Sequence, residues 1–241
     1  MLKIKNISKK YNNNFALDSI SFDLNNGEVL GILGENGAGK TTLINIISSV
    51  TKPTQGQIIL NDYDYGSKLY KTKIGVAFGG KNFLYDRLTV KENLKYFSKL
   101  YGIEDSESII VKLSEKLQFY DYQNKRIETL STGMKQRVSI AISILNNPEL
   151  ILLDEPTLGL DISGQNIIKD IVNYLKSMNK MILYSTNIVS EIEEICDNVI
   201  IISKGKLVEY DSIKNLKNKH GKNFKETFMK IMERSTNESY N

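Results

Sequence analysis

Cysteine is nearly absent: the 241-residue chain has one, Cys196, so no internal disulfide can form. A single thiol fits a reducing compartment. Long apolar runs are missing too. The longest candidates, such as Leu150-Ile151-Leu152-Leu153 and Val199-Ile200-Ile201-Ile202, fall far short of the roughly 18 residues a membrane helix needs. They read instead as buried strands. The first residues, Met1-Leu2-Lys3-Ile4-Lys5, carry no apolar stretch of the kind found in secretory signals. If the chain serves a membrane process, another chain must do the spanning. The net charge is only +4, with basic residues interspersed among 28 acidic ones, which gives no reason to expect nucleic acid. Histidine occurs once, at His220, where it reads as a solvated residue of the tail. There is no internal repeat.

What is present is enough for a core: 41% of residues are hydrophobic. Leu2 and Ile4, then Ile20, Phe22 and Leu24, recur at period two and predict strands. After the turn signal Asn25-Asn26-Gly27, an apolar strand through Leu33 runs into a glycine-rich loop, and Thr41 to Ser49 has helical spacing. Pro53 and Gly56 mark a turn before a strand at Ile58-Ile59-Leu60. Between 88 and 147, helical spacing takes over, as in Leu94, Phe97, Leu100 and Tyr101. After Pro148, strands and helices alternate: strand 150–153, helix 164–178, strand 181–184, helix 189–195, strand 199–202. Such alternation implies a mostly parallel sheet. The expected organisation is one domain over 1–241. An α/β lobe covers 1–87 and 148–210, a helical insertion covers 88–147, and a polar tail covers 211–241. The tail should hold a short helix and then a disordered end from Ser235.

Gly34-Glu35-Asn36-Gly37-Ala38-Gly39-Lys40-Thr41 matches G-x-x-x-x-G-K-[ST] in full. It follows an apolar strand and opens a helix, which is the context that the chemistry requires. The glycines let backbone N–H groups turn toward phosphate oxygens, and the helix adds the positive end of its dipole. Gly34, Asn36, Gly37, Ala38, Gly39, Lys40, Thr41 and Thr42 are therefore expected to cradle a nucleotide. Lys40 would reach the β- and γ-phosphates, and Thr41 would ligate Mg²⁺. Asp154 ends an apolar strand, where ligands of parallel sheets bind, and is the second expected Mg²⁺ ligand, through water. Glu155 is placed to polarise an attacking water. Two acids after an apolar run can also be a helix cap; the full P-loop favours the functional role.

Leu130-Ser131-Thr132-Gly133-Met134-Lys135-Gln136-Arg137, Leu153-Asp154-Glu155-Pro156-Thr157 and Gly159-Leu160-Asp161 resemble the signature, Walker B and D-loop of ABC ATPases. The likeness runs from Leu2 to about Phe228. It implies a P-loop NTPase fold with a RecA-like, mostly parallel sheet, N-terminal antiparallel strands and an inserted helical subdomain. It implies ATP and Mg²⁺ as cofactors, ATP hydrolysis, and a head-to-tail dimer, homodimeric or heterodimeric, with ATP sandwiched between the P-loop of one copy and Ser131 and Gly133 of the other. Ser131 before a helix could otherwise be a plain N-cap. Tyr11 lies where the family stacks an aromatic on adenine, or it packs in a strand. The short helical insertion, the Ser-Thr-Gly-Met signature and the short tail with Phe228 resemble ABC-2-type exporter ATPases. These work on the inner face of the cell membrane with a separate permease subunit. Ribosomal and DNA-repair members resemble tandem duplicates or carry coiled coils, and this chain has neither. The alternative is a regulatory or structural module that dimerises with ATP and turns over little.

Two positions depart from the family. Gly79-Gly80-Lys81 stand where a glutamine is usual, and Asn187 replaces a histidine that contacts the γ-phosphate. The glycines either let a membrane subunit approach or mark a turn. Asn187 either bonds a phosphate oxygen or caps the helix that begins near Val189. A neutral amide there gives a weaker bond than a charged group, so hydrolysis should be slow or partner-dependent.

Overall fold

Continuous apolar runs become strands buried on both faces when helices cover a parallel sheet. In the computed structural model, β3 (Val29–Leu33), β6 (Leu150–Asp154) and β7 (Met181–Thr186) follow this rule and are buried at every position. The structure describes residues 1–80, 83–220 and 223–237. The alternating segments β1 (Leu2–Tyr11) and β2 (Asn14–Leu24) pair antiparallel. Leu2 faces Leu24 and Ile4 faces Phe22, so the expected apolar face points inward.

The P-loop connects β3 to α1 (Lys40–Ile47). Then come β4 (Gln55–Leu60), α2 (Lys68–Thr72) and β5 (Ile74–Phe78). The helical segment contains α3 (Val90–Leu100), α4 (Glu107–Lys116) and α5 (Thr132–Ile144). Thr89 and Glu92 bond reciprocally across the start of α3 as a capping box, which fixes where that helix begins. After β6 come α6 (Ile162–Ser177), β7, α7 (Val189–Ile195), β8 (Asn198–Ser203) and β9 (Lys206–Ser212).

Among the described residues the strands form one sheet ordered β4-β1-β2-β9-β8-β3-β7-β6-β5. From β8 to β5 all pairs are parallel. β9 runs antiparallel to β8 and joins β2 through a single pair, Asp18 with Lys206. One apolar cluster unites Leu94, Ile110 and Phe119 of the helical segment with Val29 and Ile151 of the sheet. A second packs Leu43 and Ile46 of α1 against Leu30 and Leu152. No helix among the described residues is long and apolar enough to cross a membrane.

The C-terminal part differs from expectation. Instead of one short helix ending before Ser235, α8 (Ile213–His220) and α9 (Phe224–Asn237) form, and α9 continues through Ser235. The reason is burial: Ile213, Leu216, Phe224 and Ile231 belong to the main core cluster, so this polar-looking segment is anchored. Residues 238–241 and Lys81 lie outside the described residues, as does the side chain of His220.

Candidate nucleotide site

The parallel strands deliver their C-terminal ends to one edge of the sheet, and the candidate residues meet there. A cleft of about 510 Å³ is lined by Asn36, Gly37, Lys40, Thr41, Asp154 and Glu155, with Ala16, Gly79, Phe83 and Leu158 around them. Gly39 has φ 112°, and a Cβ there would sit 2.7 Å from the Ala16 carbonyl oxygen. The loop can therefore close against the N-terminal hairpin only with glycine at this position.

Lys40 is 5% exposed, yet its Nζ is well supplied with acceptors. It donates to the carbonyl oxygens of Gly34 at 2.9 Å and Glu35 at 3.2 Å, and lies 3.4 Å from Glu155 Oε1. Thr41 Oγ1 donates to Asp154 Oδ2 at 2.8 Å, and Ser185 Oγ donates to Asp154 Oδ1. A hydroxyl and a carboxylate side by side, both hard oxygen donors, fit a Mg²⁺ ion that takes its remaining ligands from water and phosphate. Ser185 was not foreseen from sequence. The available signal was a polar pair, Ser185-Thr186, ending an otherwise apolar buried strand.

Glu155 has φ 50°, an uncommon conformation for a residue with a side chain. Its backbone is held on both sides: Glu155 N donates to Ser185 O at 2.9 Å, and Leu158 N donates to Glu155 O at 3.0 Å. One residue earlier, Asp154 O accepts from Gly79 N at 2.7 Å. Such over-determination is what lets a strained residue persist at a functional site. A Cβ at position 79 would overlap the Glu155 carbonyl oxygen, and Gly80 follows with φ 68°. The two glycines are thus required by close packing and a left-handed turn.

Asn187 is exposed, and its Nδ2 donates to Asn36 Oδ1 of the P-loop at 3.3 Å. It does not cap α7: the N-cap is Ile188, whose backbone N donates to Thr186 Oγ1 at 3.0 Å. The cap alternative for Asn187 therefore fails on geometry. Ser131 does cap α5, accepting from Met134 N at 3.3 Å. With Gly133 it lines a different cleft of about 410 Å³, shared with Gly159, Leu160 and Asp161. The P-loop and the Ser131 segment are thus not brought to one cleft within a single chain. Tyr11 sits at the hairpin end of β1, half exposed, with Lys9 Nζ 5.0 Å from its ring centre, and it does not line the P-loop cleft.

Sheet order and P-loop define an α/β protein of the P-loop NTPase class. The pattern that defines the ABC transporter family matches residues 17–158. The ABC transporter ATP-binding protein NatA of Bacillus subtilis is 43% identical over 205 residues, covering 83% of each chain. The lantibiotic transport ATP-binding protein SrtF of Streptococcus pyogenes is 35% identical over 90% of this chain and 94% of its own. A solved ATP-binding subunit of an ABC transporter superposes with a TM-score of 0.87 at 27% identity, over 96% of this chain and 99% of that one. The chain belongs to the ABC transporter family and is one of its ATP-binding proteins.

Proposed function

We propose that the chain binds and hydrolyses ATP to power export through a separate membrane-spanning permease, on the inner face of the cell membrane. The observation that carries this reading is the convergence of Lys40, Thr41, Asp154 and Glu155 on one cleft. Lys40 would turn from the P-loop carbonyls toward the β- and γ-phosphates. Thr41 and Asp154 would hold Mg²⁺, which when bound supplies charge neutralisation at the phosphate oxygens. Glu155 would orient the attacking water, and Asn187, beside Asn36, would donate to the γ-phosphate. The exposed Tyr11 ring is available to stack on adenine. A second copy would close the site with Ser131 and Gly133. The export role draws on the names of relatives such as the lantibiotic transport protein, and on the short helical segment between β5 and β6.

Isothermal titration tests the core of this reading. Lys40→Ala removes a buried cation and should weaken ATP binding by about 2 kcal/mol, within the range of charge-assisted bonds. Equal affinities in wild type and variant would remove the P-loop assignment.

A further inference from the structure

Behind the nucleotide cleft lies a buried carboxylate that the phosphate chemistry does not use. Glu191, in the first turn of α7, is 8% exposed. Its Oε1 accepts from Thr157 Oγ1 at 2.6 Å, and its Oε2 accepts from Tyr184 OH at 3.1 Å. Thr157 and Tyr184 are themselves buried. Burial, with the adjacent carboxylate, pushes the Tyr184 phenol far up, so it stays protonated and donates. Both carboxylate oxygens are thus held by hydroxyls from two separate segments.

Burying a carboxylate on neutral donors is costly, and an apolar side chain of similar volume would fill the space more cheaply. What the carboxylate adds is a two-armed tie. One arm grips Thr157, two residues after Glu155 in the turn that begins with the Leu158 N to Glu155 O bond. The other grips Tyr184, which precedes Ser185, the partner of Asp154. Asn187 stands in the short connection between that strand and α7. The tie therefore joins three segments: the turn that follows Asp154 and Glu155, strand β7 with Ser185, and α7, which begins two residues after Asn187.

We propose that Glu191 is a positioning residue for ATP hydrolysis, fixing Glu155 and Asn187 relative to the phosphates through its bonds to Thr157 and Tyr184. The inference rests on the ATPase reading of the cleft. It separates rate from binding. Lys40 and Thr41 sit at the start of α1, and neither bonds Glu191, Thr157 or Tyr184, whereas small displacements of a group that orients a reactant cost on the order of tenfold to a hundredfold in rate.

The test uses the full chain with enzyme in excess over ATP. Phosphate release in a single turnover, ATP affinity by titration and melting temperature are measured for Glu191→Ala, Thr157→Val, Thr157→Ser and the Glu191→Ala/Thr157→Val double variant. Glu191→Ala and Thr157→Val should each slow release about tenfold or more, while ATP affinity stays within about threefold. Thr157→Ser keeps the hydroxyl and should retain most of the rate, and the double variant should be no slower than Glu191→Ala alone. Wild-type rates per folded molecule in Glu191→Ala, losses that multiply in the double variant, or affinity falling in step with rate would overturn the proposal. Should Glu191→Ala fail to fold, the contrast between Thr157→Val and Thr157→Ser decides: similar rates in both overturn it. A wild-type chain that binds no ATP or releases no phosphate overturns the ATPase reading itself, and this inference with it. Turnover in wild type that is indifferent to position 191 overturns the inference alone.

Discussion

Gly79, in the Gly79-Gly80-Lys81 stretch, and Asn187 mark the two places singled out from sequence as departures, but their surroundings differ. Position 79 has no room for a side chain, because a Cβ would overlap the Glu155 carbonyl oxygen. Gly79→Ala should therefore displace the backbone of Glu155, lower the melting temperature and slow turnover; unchanged values of both would refute the packing argument. Asn187 is exposed and can change without steric cost. If its neutral bond to the γ-phosphate limits the chemistry, Asn187→His should raise turnover by roughly tenfold for each 1.4 kcal/mol gained in the transition state. Asn187→Ala should slow turnover with little change in ATP affinity, and a steady-state assay giving equal turnover in both variants would remove Asn187 from the chemistry. Much at this scale was legible: Lys40, Thr41, Asp154 and Glu155 sit in short contiguous motifs, and the structure gathers them. Ser185 and Glu191 were not, because each acts through a contact that sequence spacing does not encode. Ser185 meets Asp154 from a neighbouring strand, and Glu191 meets Thr157 across 34 positions.

At the scale of elements, legibility followed burial. β6 and α7 were plain because an apolar run bounded by Pro148 and Asp154, and a clean helical stripe, admit one reading. β9 was missed because none of its residues is buried, so it carries no apolar pattern. It is held by backbone pairing with β8. At the opposite edge of the sheet, Glu149 joins elements that are distant in sequence. Its Oε1 accepts from Tyr63 OH at 2.6 Å and pairs with Lys73 Nζ at 3.1 Å, and its Oε2 accepts from Asn61. Burial would raise its pKa, but the bonds from Tyr63, Lys73 and Asn61 outweigh burial and hold the carboxyl below its ordinary value. A carboxyl lowered on folding stabilises above its unfolded pKa, about 4.3, and that contribution is lost as pH falls through the folded value. Glu149→Gln should cost about 1–2 kcal/mol at neutral pH. The gap to wild type should close in acid. Urea unfolding followed from pH 7 down to about pH 2 measures both, and a gap that persists unchanged to the acid end would contradict this account.

At the scale of the whole molecule, the unanswered geometry is that the P-loop and Ser131 line separate clefts of the same chain. The turn after Glu155 runs between them: Leu158 lines the first, Gly159 and Leu160 the second. Leu158 on this turn and Ile162 at the start of α6 are 52% and 77% exposed, apolar surface that a partner would cover. A twofold arrangement satisfies both clefts at once, since a P-loop facing the other copy's Ser131 is returned by symmetry. The helix start at Ser131 would then offer N–H groups to the γ-phosphate bound across the interface. ATP in this arrangement is part of the interface, so slowing its removal should stabilise the dimer. Glu155→Gln keeps the shape of the side chain and loses the carboxylate that orients water. With ATP and Mg²⁺ it should elute from size exclusion as a dimer, and as a monomer without nucleotide. Adding Ser131→Arg places a long side chain in the facing phosphate site and should abolish the dimer while leaving ATP bound to the P-loop of the monomer. Titration of the double variant separates the two effects. Retained affinity with lost dimer is the expected outcome, and a double variant that still dimerises with ATP would refute the composite site.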